Sequence, residues 1–310
     1  MSARHIKYKL LTVLCALFFA LCANSVAWAN YTKTKYPIVL VHGVAGFDNI
    51  ANVIDYFFTV PFNLRRSGAT VYVPSVSAFN SSQARGGQLA DYLMTLPEEK
   101  FNLIGHSQGS PTARVAAALV PQKVASITSV GGVNGGSKVA DVVLGVLPSG
   151  VPQNLASSIA SALGEIINFL SGSDQPQNGL AAAQTLSTEG SLALNEALGN
   201  VGISGNCSSL DENININGYN IKAFSWSGSA PLTNFFDISD AAIGITSLAF
   251  GFERNDGLVS ECSSKFGKVI FSRYHMNHLD EVNSLLGLRG FTNPVSLYRT
   301  QANRLKGKGL

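Results

Sequence analysis

The chain has 310 residues, 46% of them apolar and 13% charged, with a formal net charge of +3. That apolar share fills the core of one large α/β domain or two small ones, and it excludes a disordered or fibrous chain. The small positive excess lies at one end, so it offers no basic surface for nucleic acid.

The N-terminus comes first. Arg4, Lys7 and Lys9 precede an apolar run from Leu10 to about Val26, and Ala27-Trp28-Ala29 supplies the small-x-small pattern that signal peptidase reads. The run is short for a bilayer span, so residues 1–29 are expected to be a signal peptide and Asn30 the mature N-terminus of an exported protein. Leu21 before Cys22 argues against a lipoprotein. Losing three basic residues takes the charge from +3 to 3 − 3 = 0. No later stretch is long and apolar enough for stable membrane insertion. The leader also removes Cys15 and Cys22, leaving Cys207 and Cys262 for an oxidising compartment, and one disulfide is expected between them. In the chain-entropy model the loop of about 55 residues that this bond would close contributes roughly 4 kcal/mol.

Pro37 to Val41 is a continuous apolar, β-branched run that stops at His42-Gly43, as expected of a strand buried on both faces. Val71 to Val73, Phe101 to Ile104 and Val124 to Val130 read the same way. Helix-like stretches lie between them, near Ala51 to Ser67, Gln83 to Thr95 and Gln108 to Leu119. This alternation specifies an α/β fold with a mostly parallel sheet covered by helices. Tyr219 to Trp226 and Lys268 to Phe271 add strand-like segments, whereas about 140–200 is rich in Ser, Gly and Ala and reads as a helical insertion. No repeat, charge block or linker divides the chain, so residues 30–310 form one domain with an inserted cap.

Gly105-His106-Ser107-Gln108-Gly109 matches G-x-S-x-G, with an apolar strand entering it and a helix-like segment leaving. That context predicts a strained strand-to-helix turn that lifts Ser107 above the sheet, its glycines sparing neighbouring backbone from a Cβ. A serine hydroxyl needs a general base and a carboxylate to orient it. In this fold the chain order is serine, acid, histidine, which leaves His275 and His278 open as bases. Asp256, in the turn Asn255 to Val259, is the candidate acid, with Asp237 and Asp240 as rivals. Backbone N–H groups of Gln108 and Val44 are candidates for the oxyanion hole, and His42 for a supporting role in the Val44 loop. His106 reads as structural, because adjacent side chains at a sharp turn diverge.

These residues resemble the secreted, foldase-dependent triacylglycerol lipases of the Pseudomonas and Burkholderia type. The likeness rests on blocks through nearly the whole mature chain: Tyr31 to Leu40, His42-Gly43 with Gly46 to Asn49, Asn102 to Ser107, Trp226 to Ser229 with Pro231 to Asn234, Asn255 to Val259, and Met276 to Asn283. The resemblance implies an α/β-hydrolase fold and a triad of Ser107, Asp256 and His278, which settles the histidine choice. It implies Val44 and Gln108 as oxyanion donors and matches Cys207 and Cys262 to the family's disulfide. It also implies one structural Ca²⁺, held by the carboxylates of Asp237 and Asp280 and the carbonyls of Ser284 and Leu288, and a dedicated foldase partner. Gln108, Val44 and Ser284 depart from the commoner family residues, but each acts through its backbone.

Between Pro152 and Gly172, Leu155, Ile159, Leu163, Ile166, Ile167 and Leu170 recur at helical spacing, with Asn154 placed to cap the start. In the resembling family this amphipathic segment is the lid, expected to open at an oil-water interface. The expected function is therefore secreted triacylglycerol hydrolysis through an acyl-enzyme. The alternatives are a carboxylesterase or polyester depolymerase with the same triad, and a non-catalytic hydrolase-fold binding protein, which would lack a triad member.

Overall fold

The computed structural model describes residues 30–44, 56–148, 151–170, 177–283 and 285–310. The expected leader and residues 51–55 of the first helix-like stretch lie outside them. A seven-stranded sheet is assembled from β1 (Ile38–Val41), β2 (Val71–Tyr72), β3 (Phe101–His106), β4 (Val124–Val130), β5 (Asn213–Ile216), β6 (Tyr219–Gly228) and β7 (Lys268–Tyr274). Its order is β2-β1-β3-β4-β6, with β5 and β7 both pairing with β6. Every pairing is parallel except β5 with β6.

Apolar residues on both faces of the central strands create two cores. Ile38, Leu40 and Ile104 pack with Val60 and Leu64 of α1 (Val60–Arg65) and with Tyr298 and Ala302 of the C-terminal helix. Val39, Val41 and Leu103 turn to the other side, against Leu89 and Leu93 of α2 (Ser82–Thr95) and Ala113 and Ala116 of α3 (Gly109–Leu119). The alternation is the period-2 geometry of a strand, and apolar residues at consecutive positions require a layer of helices on each face. Buried polar groups in β4 are paired within the sheet and to the C-terminal helix: Ser126 Oγ donates to Asn102 Oδ1 of β3 at 2.7 Å, and Gln301 Nε2 donates to Thr128 Oγ1 at 2.8 Å.

The expected insertion is helical, with α4 (Lys138–Val143), α5 (Gln153–Leu170), α6 (Gly179–Leu186) and α7 (Thr188–Ala197). The amphipathic segment forms α5, which starts one residue before Asn154, so Asn154 lies inside the first turn and does not cap it. Pro152 sets that boundary, since its fixed φ suits a helix start. Inward-facing Ile159 packs on Ala249 and Phe250 just beyond α8 (Ile238–Ser247). Three elements were not anticipated: β5, whose Asn-rich sequence carries little strand signal, α8, and α9 (Pro294–Gly307), capped by Asn293 accepting from Ser296 N. Among the described residues no helix is long and apolar enough to cross a membrane.

Cys207 and Cys262 are bonded, with Cα atoms 5.1 Å apart and 55 residues between them in sequence. The bridge ties the segment before β5 to the turn that follows Asp256. Replacing both cysteines with serine is expected to destabilise the fold by about 2–4 kcal/mol. Denaturant unfolding of the two proteins measures it, and reductant should then shift only the wild type.

Candidate active site

β3 delivers the chain to Ser107, which adopts φ 56°, a left-handed backbone that a non-glycine residue rarely holds. The bend is pinned by Ser107 N donating to Val130 O at 3.0 Å and Val133 N donating to Ser107 O at 3.2 Å. A Cβ on Gly105 would enter the Gly109 backbone, and one on Gly109 would meet the Val41 carbonyl. Both glycines are therefore required by close approach of backbone, as the motif predicted. Ser107 Oγ opens into a cavity of about 240 Å³.

His278 and Asp256 come together behind the elbow. His278 Nδ1 lies 2.8 Å from Asp256 Oδ2, and since a carboxylate oxygen accepts, Nδ1 carries the hydrogen and Nε2 is left to take a proton. Asp256 is itself fixed: Oδ1 accepts from Leu258 N at 2.9 Å and Val259 N at 2.7 Å, and its carbonyl accepts from His278 N at 2.9 Å. The His278 ring lies 4.5 Å, centroid to centroid, from that of His106, the immediate neighbour of Ser107. Among the described residues Ser107 Oγ has no hydrogen-bonded contact with His278; such contacts tighten when substrate binds. The rival residues are engaged elsewhere. His275 is exposed, Asp237 caps α8 by accepting from Ser239 N at 2.8 Å, and Asp240 accepts from Thr233 N, Asn234 N and Asn277 Nδ2.

Val44 follows β1 at the cavity wall, and Gln108 caps α3. Both are organised by a residue that no sequence motif marks, Arg85 of α2, which is fully buried. Its Nη1 donates to Gly43 O at 3.1 Å and to Gln108 Oε1 at 2.9 Å, while Nη2 donates to His42 O. A trans peptide is planar, so holding the Gly43 carbonyl also sets the opposite direction of the Val44 N–H. Burial lowers the guanidinium to about 9, which still leaves it charged at neutral pH. His42 completes the support. Its Nδ1 lies 2.9 Å from Gly43 O and its Nε2 accepts from Val76 N at 3.3 Å. Burial, then the neighbouring Arg85 charge, drops it to about 3, so it remains neutral.

The residues expected to hold calcium occupy two adjoining loops. Asp280 is buried, its Oδ1 has no hydrogen-bond partner, and burial followed by the nearby Asp240 carboxylate raises it to about 6. Asp237 is also buried and shifted upward, chiefly by desolvation, and it too feels Asp240. Gly290 N, near Leu288, points to Asp280 Oδ2 at 3.5 Å. Ser284 lies outside the described residues. Buried, under-neutralised carboxylates with an orphaned oxygen fit a hard divalent cation such as Ca²⁺.

The cavity above Ser107 is walled by aliphatic side chains, including Val133, Leu186 and Leu258. Leu163 and Ile167 of α5 form part of its roof, while Ser157, Ser158, Ser161 and Glu165 face outward. An apolar chain fits this space, and α5 stands between it and solvent on that side.

Residues 36–196 match a family model described as the alpha/beta hydrolase fold. The chain is 48% identical over 296 residues to a triacylglycerol lipase of Vibrio cholerae serotype O1, covering 93% of each protein. It is 36% identical over 332 residues to a triacylglycerol lipase of Burkholderia plantarii, covering 95% of this chain and 92% of that one. Among solved structures, a metagenomic carboxyl esterase superposes with a TM-score of 0.61 at 16% identity, over 89% of this chain and 78% of the other.

Arg85 gives the sharpest test of the site's internal logic. Arg85→Met is expected to lower kcat by about 10²-fold with KM little changed, the loss seen when an oxyanion donor is disturbed. Arg85→Lys should recover little of it, because an ammonium lacks the planar fork that reaches both Gly43 and Gln108. Steady-state kinetics on a soluble ester measures both.

Proposed function

Since the chain belongs to the triacylglycerol lipases of the α/β-hydrolase family, we propose that it is an exported lipase working through Ser107, His278 and Asp256. The observation that carries this reading is the Asp256–His278 hydrogen bond lying beside the serine elbow, whose Ser107 lines an aliphatic cavity. Ser107 Oγ attacks the ester carbonyl as His278 Nε2 takes its proton. Charge developing on the carbonyl oxygen meets the N–H groups of Val44 and Gln108. The leaving alcohol receives the proton from His278, and a water activated by the same imidazole releases the fatty acid from Ser107. Asp256 stays ionised, orients the ring and stabilises the imidazolium.

The cavity favours the acyl part of the substrate. Each methylene buried against its aliphatic wall contributes about 0.8 kcal/mol. In this reading α5 is the lid, its Leu163 and Ile167 turning from the cavity to a lipid surface as the groove opens. Asp237 and Asp280, with the carbonyls of Ser284 and Leu288, would hold one Ca²⁺, which when bound supplies positive charge that neutralises the two acids and fastens the loop leading from His278. Export with cleavage after Ala29, and folding assisted by a membrane-anchored foldase, rest on the leader pattern and the family likeness.

Ser107→Ala and Asp256→Asn are each expected to lower kcat by roughly 10⁴-fold or more with the fold intact. A variant that retains full ester hydrolysis would falsify the triad. Rates on a triglyceride should jump once droplets form and should rise with acyl length until the cavity is filled; a preference for acetyl esters that fades with length would favour a carboxylesterase instead. A chelator should lower the melting temperature of the wild type and leave that of Asp280→Asn unmoved, read by differential scanning calorimetry.

A further inference from the structure

His106 precedes the nucleophile, is fully buried, and is not needed for proton transfer by the triad. Its hydrogen bonds nevertheless touch both halves of the reaction centre. His106 Nε2 lies 3.0 Å from the carbonyl oxygen of His278. A carbonyl only accepts, so Nε2 carries the hydrogen and Nδ1 is left as an acceptor. The phenol of Tyr56 sits 2.6 Å from that Nδ1 and donates to it. With its hydrogen committed there, the Tyr56 oxygen accepts from Gly43 N at 3.0 Å. The chain therefore runs in one direction, from Gly43 N–H to Tyr56, from Tyr56 to His106, and from His106 to His278. Hydrogen bonds aligned in this way polarise one another and strengthen in a dry interior.

We propose that His106 is a positioning residue which, through Tyr56, locks the base His278 to the oxyanion loop at Gly43. The proposal rests on the triad reading and extends it. Gly43 is held from both sides, its N–H by Tyr56 and its carbonyl by Arg85, so the orientation of the Val44 N–H depends on the same network that grips the His278 backbone. The ring stacking between the two histidines, tilted by 41°, adds a face against which His278 rests. An ångström of slippage between base and oxyanion donor costs about 10²-fold in rate.

Burial, then the adjacent His278, holds His106 far below the ordinary histidine range, so it stays neutral when His278 becomes charged. Glu281 faces the same nitrogen, with Oε2 3.2 Å from His106 Nε2. Arg85 lies on the Tyr56 side and Asp256 on the far side of His278. A histidine present only to fill the core needs its two nitrogens satisfied, but it does not need partners on the catalytic backbone.

The experiment is a set of variants assayed on p-nitrophenyl butyrate in solution, so that opening at an interface plays no part. Folding is checked by thermal melting and the amount of reactive serine by titration with a p-nitrophenyl phosphonate. His106→Ala is expected to lower kcat by about 10-fold to 10²-fold with KM within about twofold. His106→Gln, whose amide N–H reaches where Nε2 does, should recover most of the loss. Tyr56→Phe should lower kcat on its own, and Tyr56→Phe with His106→Ala should be no worse than His106→Ala alone. The proposal is overturned if folded His106→Ala keeps kcat within about threefold, if His106→Gln is as poor as alanine, or if the two effects add. Where His106→Ala does not fold, His106→Gln and Tyr56→Phe decide: both near wild-type kcat, or a double variant showing additive losses, overturns it. His278→Ala is run alongside. Retained turnover there removes the triad reading itself, whereas its collapse together with an indifferent His106 removes only this inference.

Discussion

Ser107 sits in a left-handed backbone conformation at the junction of β3 and α3, and the surrounding structure is what holds it there. Such a conformation costs about 1–3 kcal/mol in a residue with a Cβ. It persists because Val130 O and Val133 N grip the serine peptide from β4 and the loop beyond it. Gly105 and Gly109 let the strand, the helix and Val41 approach within distances that no other residue allows. The parallel sheet thus does more than bury apolar surface. Its tight stacking against α3 forces one hydroxyl out over the carboxyl ends of the strands, where the cavity lies.

Beneath that hydroxyl is a polar stratum enclosed by aliphatic walls. Arg85, His42, Tyr56, His106 and Glu281 are all buried, and none is a member of the proposed triad. Burial alone would make each of them costly. Hydrogen bonds repay part of that cost and at the same time remove rotational freedom from the Gly43–Val44 peptide, from Gln108 and from the His278 backbone. Rigidity of this kind is what electrostatic stabilisation of an oxyanion demands, since donors that must reorganise during the reaction lose most of their effect. The neutral state of His42 and His106, both depressed by burial, keeps stray positive charge away from the proposed base.

The insertion works by a different physics. Ala162 and Ile166 of α5 join the main core, but much of α4 to α7 packs through small apolar clusters, and α5 turns Leu163 and Ile167 toward an open cavity. A helix with one face on a void rather than on packed side chains gives up contacts that a core helix would keep, so moving it costs less. The loops bearing Asp237 and Asp280 are tied in the opposite manner, by Asp240 accepting from Thr233, Asn234 and Asn277, which draws the two loops together before any ion is considered.

Local sequence was sufficient for much of this. β1, β3 and β4 were legible because short apolar, β-branched runs ending at turn residues suit a strand covered on both faces, and Ser107 was legible because its G-x-S-x-G motif follows such a strand and precedes a helix-like segment. Asp256 was legible only as one candidate acid beside Asp237 and Asp240, and Cys207 and Cys262 paired because Cys15 and Cys22 fall in the expected leader. His275 and His278 remained equivalent until family likeness separated them, since neither periodicity nor spacing says which of two neighbouring imidazoles turns inward. β5 and Arg85 were invisible for a related reason. An Asn-rich strand exists only because the edge of β6 is there to pair with it, and a buried arginine is recognisable only once its acceptors, from segments far apart in the chain, have been brought around it. Sequence by itself determined the strand-helix alternation of β1 to β4, the elbow and the amphipathic segment that forms α5, all of which follow from contacts between near neighbours. Tertiary structure decided which polar side chains share the interior and in what direction their hydrogen bonds run, because partners are assigned there by proximity in space and by the requirement that no buried donor be left unpaired.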